Sequence, residues 1–252
     1  MRDILEAVAA GELSPAAAEA ELAGYATTGA GRFDAARESR RGVPEAILGE
    51  GKTPAETATL AEAALDTTGR AIVTRADDAT VTAVTSRLPD DATVDRDERA
   101  RTLVAHAADF DPPSLDATVG LVTGGTSDAM AAGEAAVVVG EMGATVERVE
   151  DVGVAHLGRV LDHLDTLRAA DVLVVAAGRE GALPTVVAGL VDVPVIGLPV
   201  STGYGHGGQG EAALAGMLQS CTALSVVNVD AGFTAGAQAG LIARAVSGGC
   251  EG

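Results

Sequence analysis

Five stretches in the second half of the chain are apolar with little or no alternation: TVGLVTGG (118–125), TVERVED (145–151), DVLVVAAG (171–178), VPVIGLPV (193–200) and LSVVNVD (224–230). Short β-branched runs of this kind suit strands covered on both faces. Helical segments are expected between and after them, near 128–142, 157–168, 182–190, 209–219 and 233–247. Five such strand–helix units predict a doubly wound parallel sheet of the flavodoxin or Rossmann type. Ligands of such sheets bind beyond the carboxyl ends of the strands. That rule directs attention to TGGTSD, EDVGVAH, AAGREGALP, PVSTGYGHGG and VDAGF.

The first half reads differently. Two short helices are expected before residue 25, the second opened by Ser14-Pro15. Thr53-Pro54 predicts the start of a helix that Gly69 ends, RAIVTR (70–75) a strand, 77–87 a helix and RTLVAHA (101–107) a further strand. DFDPPS (109–114) reads as a linker, with two prolines among polar residues. The expected domains are therefore 1–112, a small N-terminal α/β domain, and 113–252, the parallel-sheet domain.

Charge narrows the partners. The chain has 36 acidic and 17 basic residues and a net charge of −19. The acids are dispersed, and that balance argues against nucleic acid or an anionic membrane as a partner. Lys52 is the only lysine, beside 16 arginines. Dispersed acid with almost no lysine reads as a halophilic, cytoplasmic protein. The start, MRDILEAVAAGELS, has no signal-peptide pattern, and no apolar run approaches the ~18 residues of a membrane span. The two cysteines, Cys221 and Cys250, suggest no disulfide framework. Cys250 lies in the tail SGGCEG, which is expected to fray.

Lys52 lies in GEGKT (49–53), which resembles the end of a phosphate-binding loop. The full pattern G-x-x-x-x-G-K-[ST] needs glycine at position 46, and Ala46 stands there. The segment also lacks a convincing preceding strand. GGTSD (124–128) is the better anion site. Gly124 and Gly125 permit a tight turn, and Thr126, Ser127 and the following amides suit a phosphate. Asp128 is either an N-cap or an acceptor for a ribose hydroxyl; a plain capped turn explains the same residues. His206 lies in a glycine-rich loop that suits close approach to a ligand and equally suits solvent exposure. Cys221, in MLQSCTAL, is either a small apolar residue or a nucleophile. None of the four histidines has zinc-ligand spacing.

These motifs carry a resemblance. Residues 118–246 resemble the PurE-type carboxylase/mutase domain through GGTSD, AAGREGALPTVVAGL and VPVIGLPV. With FDAARESRRGVPEAILGEGKT, TRADD, STGYG and SCTALSVVNVDAGF added, the chain resembles the LarB family, the pyridinium-3,5-biscarboxylic acid mononucleotide synthases of nickel-pincer cofactor biosynthesis. The resemblance implies a PurE-like fold behind the N-terminal domain. It implies carboxylation of nicotinic acid adenine dinucleotide at pyridinium C5 by CO2 or bicarbonate, with hydrolysis of the phosphoanhydride to release AMP. It also implies Mg2+, no organic prosthetic group, and a homo-oligomer such as an octamer.

Under that resemblance Cys221 is the nucleophile and Glu180 the general base, with Asp230 the other candidate. Lys52 supplies a fixed positive charge. Gly124, Gly125, Thr126, Ser127 and Asp128 hold the ribose phosphate, and Arg75 or the Arg37, Arg40 and Arg41 group clamps an anion. His206 and Asp230 complete the substrate-binding set. The chain departs from the family pattern in DVGVAHLGR, where Gly158 precedes Arg159 and His156 lies two positions early. It departs again at Arg179, where an apolar residue is expected. Two alternatives remain: a PurE-type enzyme acting on an aminoimidazole ribonucleotide, and a non-catalytic nucleotide-binding regulator on the same fold.

Overall fold

A computed structural model of the protein describes residues 2–248; Cys250 and the expectation attached to its tail fall outside them. The chain divides into two compact units, Met1–Asp111 and Pro112–Gly252, the division falling inside DFDPPS.

The first unit opens with helices α1 (Arg2–Ala10) and α2 (Pro15–Ala23). A small antiparallel hairpin follows, β1 (Ala26–Thr28) with β2 (Gly31–Phe33), and then α3 (Arg37–Arg41). The remaining elements are β3 (Ile47–Leu48), α4 (Pro54–Thr68), β4 (Arg70–Thr74), α5 (Asp78–Thr85), β5 (Thr93–Asp97) and β6 (Thr102–His106). Strands β3, β4, β6 and β5 form one sheet in that order; β3 and β4 are parallel and the other pairs antiparallel. Leu60, Ala61, Ala64 and Leu65 of α4 pack on Ala71, Val73 and Leu103 of the sheet to make this unit's core.

Helix α4 starts where its sequence says it should. Thr53 is the N-cap, its hydroxyl accepting from the Glu56 amide while the Glu56 carboxylate accepts from the Thr53 amide. This reciprocal capping satisfies amides that a helix start leaves without partners, and Pro54 fits the first turn because it has no N–H to satisfy. Gly69, in the left-handed region at φ 74°, closes the helix.

The second unit is the doubly wound parallel sheet. Its elements are β7 (Thr118–Thr123), α6 (Ala129–Glu141), β8 (Thr145–Val149), α7 (Gly158–Leu161), α8 (Leu164–Ala169), β9 (Val172–Ala177), α9 (Ala182–Ala188), β10 (Val195–Pro199), α10 (Glu211–Leu218), β11 (Ser225–Val226) and α11 (Gly232–Gly248). The strand order is β11-β10-β9-β7-β8, with every pair parallel. Alanines of α6 and α11 cover one face of the sheet. Leu167, Leu183, Val187, Ala213 and Met217 cover the other.

Strands β7, β9 and β10 are almost wholly buried, as unalternated runs require. β8 departs from that expectation. It is the edge strand, and Thr145, Glu147 and Arg148 are exposed, so a run grouped with the buried strands is in fact wet on parts of both faces. β11 keeps only two ladder residues, although Val227 and Asp230 still donate to the Gly197 and Pro199 carbonyls. The helix expected over 157–168 is split into α7 and α8, with the His163 amide donating to Val160 three residues back.

Candidate functional site

In this strand order the direction of winding reverses between β7 and β9, so the two connections leave on opposite sides and open a crevice at the carboxyl ends. The second unit has a cleft of about 510 Å³ at that point. Gly124, Gly125, Ser127 and Asp128 line it after β7; Gly153, Val154 and Arg159 after β8; Gly178, Arg179 and Glu180 after β9; Thr202, Gly203 and Tyr204 after β10.

Asp128 ties these segments together. One carboxylate oxygen accepts from the Gly125 amide at 2.9 Å and the other from the Thr202 hydroxyl at 3.3 Å. The side chain is only 4% exposed. Burial pushes its carboxyl above the ordinary value, and the hydrogen bonds from Gly125 and Thr202 oppose that shift. Asp128 thus closes the GGTSD turn from within while presenting its surface to the cleft. Gly178 makes the approach of these loops possible: a Cβ there would lie 2.7 Å from the Thr202 hydroxyl and 3.1 Å from the Val200 carbonyl.

Glu180 lies on the cleft wall with its side chain exposed. Among the described residues it makes neither a hydrogen bond nor an ion pair, so its carboxylate is available as a base. Arg159 is engaged, donating to the Asp151 carbonyl at 2.8 Å and to its carboxylate at 3.2 Å. Arg179 stacks its guanidinium on the Tyr204 ring, 4.2 Å from the centroid.

The structure therefore brings Gly124, Gly125, Ser127, Asp128 and Glu180 into one cleft. Thr126 is in the same turn, with an exposed side chain outside the lining. Asp230 is also outside it; its carboxylate accepts from the Ser201 amide at 2.9 Å and so holds the loop that carries Thr202. His206 is exposed in that loop, and His156 is exposed beside Gly158 without lining the cleft. Cys221 is an exposed thiol in the turn between α10 and β11, outside the cleft lining. The helix before it touches the cleft wall, because Gly216 packs directly against the Glu180 carbonyl with no room for a Cβ.

Lys52 and Arg75 lie in the first unit. The Lys52 ammonium donates to the Leu48 carbonyl at 2.6 Å and lines a cleft of about 210 Å³ with Arg32, Glu45 and Leu60. Arg75, at φ 55°, pairs with Glu50. Arg37 pairs with Glu45 at 3.0 Å and Arg40 with Asp34 at 2.5 Å.

Thr202, Tyr204 and Arg159 were missed as cleft residues by the sequence reading. STGYG is legible as a strand-end loop, but nothing in its sequence marks Thr202 or Tyr204 as facing the cleft.

Comparison with known proteins matches each unit separately. Residues 25–107 match the family described as LarB/PurE-like N-terminal domain, and residues 118–249 match AIR carboxylase. An uncharacterized protein of Methanocaldococcus jannaschii, MJ0165, is 35% identical over 224 residues, 84% of each chain. The chain belongs to the LarB family. Its second unit is the PurE-like domain of that family, and the two domains together make it a carboxylase-type enzyme. Among the described residues no helix is long and apolar enough to cross a membrane. Among the same residues no three His, Cys, Asp or Glu side chains converge as metal ligands.

Proposed function

We propose that this LarB-family protein carboxylates nicotinic acid adenine dinucleotide at pyridinium C5 and hydrolyses its phosphoanhydride. The products would be pyridinium-3,5-biscarboxylic acid mononucleotide and AMP, in nickel-pincer cofactor biosynthesis. The observation that carries the reading is the union, in one chain, of the LarB-type N-terminal domain with the AIR-carboxylase domain.

The chemistry explains why a thiol is needed. Pyridinium C5 is electron-poor and does not attack CO2. Addition of the Cys221 thiolate at C4 forms a C–S bond and a neutral dihydropyridine whose C5 is enamine-like. C5 then forms a C–C bond to CO2, leaving a carboxylate and an iminium at C6–N1. Glu180 takes the C5 proton, the enamine re-forms, and expulsion of the thiolate restores the aromatic ring. Water supplies the oxygen that cleaves the anhydride. The GGTSD turn suits the ribose phosphate, with its two glycines, exposed Thr126 and Ser127, and 3-10 start. Cys221 lies five residues beyond Gly216, a span of at most ~18 Å even when extended. A substrate reaching past Glu180 toward the end of α10 would meet it.

One observation favours a second reading. The cleft lining contains no cysteine, and carboxylation of an aminoimidazole ribonucleotide, an electron-rich ring, needs no thiol. The two are separated by incubating the protein with bicarbonate and either substrate. Our reading predicts AMP and a carboxylated mononucleotide from nicotinic acid adenine dinucleotide. It also predicts that Cys221→Ala lowers that rate by roughly 10³-fold or more, on the scale of removing a nucleophile. Turnover of the ribonucleotide alone, or a fully active Cys221→Ala protein, would sink it.

A further inference from the structure

In a chain of net charge −19, arginines are readily neutralised by carboxylates. Arg2, Arg37, Arg40, Arg70, Arg75, Arg87, Arg96, Arg148 and Arg159 each face one within 4 Å. Arg179 does not. Among the described residues it makes neither an ion pair nor a hydrogen bond, although Glu180 is its neighbour in sequence and shares its cleft wall. Its contact is the face of Tyr204.

Tyr204 is 79% exposed, so its ring faces the solvent of the cleft apart from the guanidinium stacked on it. Its loop is folded on itself. Gln209 donates to the Gly203 carbonyl and Gly208 to that of Gly205, both at 3.1 Å, while Gly203 packs against the Gly178 carbonyl beside Arg179. The ring is therefore presented by an ordered turn tied to the β9 exit. Stacking on a ring uses the face of a guanidinium and leaves its coplanar N–H groups free along the edge. Such an edge matches the planar or forked oxygens of a carboxylate or phosphate. The other cation of the cleft, Arg159, is occupied by Asp151.

We infer that Arg179, held flat by Tyr204 at the cleft wall, is an oxyanion-recognition group that selects ligands carrying a carboxylate or phosphate at that position. Resting on the proposed function, the oxyanion is either the ring carboxylate of the pyridinium substrate or its anhydride phosphates. Tyr204 acts through Arg179 as a positioning residue. It fixes the plane of the guanidinium and keeps it from folding back onto Glu180, which leaves that carboxylate unpaired for its own role.

The test uses the chain's own spectroscopy. It has two tyrosines and no tryptophan, so in a Tyr25→Phe background the tyrosine emission is that of Tyr204. Inorganic pyrophosphate and nicotinate are titrated separately into Tyr25→Phe and Tyr25→Phe/Arg179→Met proteins. At least one is expected to change the emission saturably in the first protein, with the change lost in the second; the one that does so identifies the oxyanion. In parallel, the affinities of nicotinic acid adenine dinucleotide and its carboxamide analogue are measured calorimetrically. Arg179→Met is expected to weaken the acid form roughly ten- to hundredfold, the scale of hydrogen bonds to charged groups. Arg179→Lys should recover only part of that, because it restores charge without the planar fork. No response to either anion, or an equal response with Met at 179, overturns the inference. If the dinucleotide is not bound by the parent protein but an anion still titrates through Arg179, the proposed substrate fails and the anion site stands.

Discussion

The chain contains two glycine-rich turns that each lead into a helix, GEGKT in the first unit and GGTSD in the second, and they put their polar groups to opposite uses. In GEGKT, Thr53 caps α4, Lys52 binds the Leu48 carbonyl and Glu50 binds Arg75. Its polar atoms stabilise the turn and its own helix. In GGTSD, Asp128 is buried and holds Gly125 and Thr202, while Ser127 and both glycines line an open cleft. The same contrast extends outward from each turn. Arg37, Arg40 and Arg75 of the first unit are paired with carboxylates, whereas beside the second turn, among the described residues, Arg179 and Glu180 carry no ionic partner. A turn that resembles a ligand loop in sequence can be structural, and the telling feature here is that GGTSD lines the cleft at the sheet's switch point.

The comparison can be broken or sharpened by substitution. The largest effect is expected at Glu180. Replacement by Gln should slow carboxylation by about 10²–10⁴-fold, the range for loss of a positioned general base, measured as initial rate with substrate affinity determined in parallel. A normal rate would remove the functional side of the contrast. Next is Lys52. If its charge also serves turnover, Lys52→Arg should lower the rate about tenfold, a barrier change of ~1.4 kcal/mol, since a guanidinium cannot reproduce a compact ammonium. A fully active Lys52→Arg protein would leave the residue with its structural role at Leu48 alone.

Smaller effects concern stability and should separate the turns cleanly. Thr53→Ala should cost about 1 kcal/mol through loss of the α4 cap, seen in denaturant unfolding of the whole protein, with catalysis unchanged. Asp128→Asn should do the reverse. Burial raises the Asp128 pKa in the folded state, so its protonated form is favoured there. Its contribution to stability is therefore fully present below the unfolded carboxylate value of ~3.9 and lost as pH rises through the folded value. Relative to Asn at this position, the natural protein should be at its least stable near neutral pH, and the gap in melting temperature should narrow as pH falls toward 4. A gap that widens on acidification would contradict the sign.

Much of the second unit was legible because burial on both faces leaves a run of Val, Leu and Ile that little else explains. The α4 boundaries were legible for a local reason: Thr53, Pro54 and Gly69 each have a role set by backbone chemistry. What escaped was non-local or weakly patterned. β5, TVDRD, is a mostly exposed strand whose polar residues offer no period, and β8 looked buried because its edge position is set by strand order. The Asp128–Thr202 and Arg179–Tyr204 contacts join residues 74 and 25 positions apart through the neighbouring exits of β7, β9 and β10. A sequence shows each loop but not which loops converge. Cys221 was singled out by its chemistry, and nothing in its local sequence told that it would lie outside the cleft lining.

The most direct measurement is carbon-13 NMR of the product formed from labelled bicarbonate and nicotinic acid adenine dinucleotide. The account predicts one new labelled carboxylate, coupled to the ring proton pattern of a 3,5-disubstituted pyridinium, appearing together with AMP. Release of AMP without label in the ring, or label only when an aminoimidazole ribonucleotide is supplied instead, would contradict it.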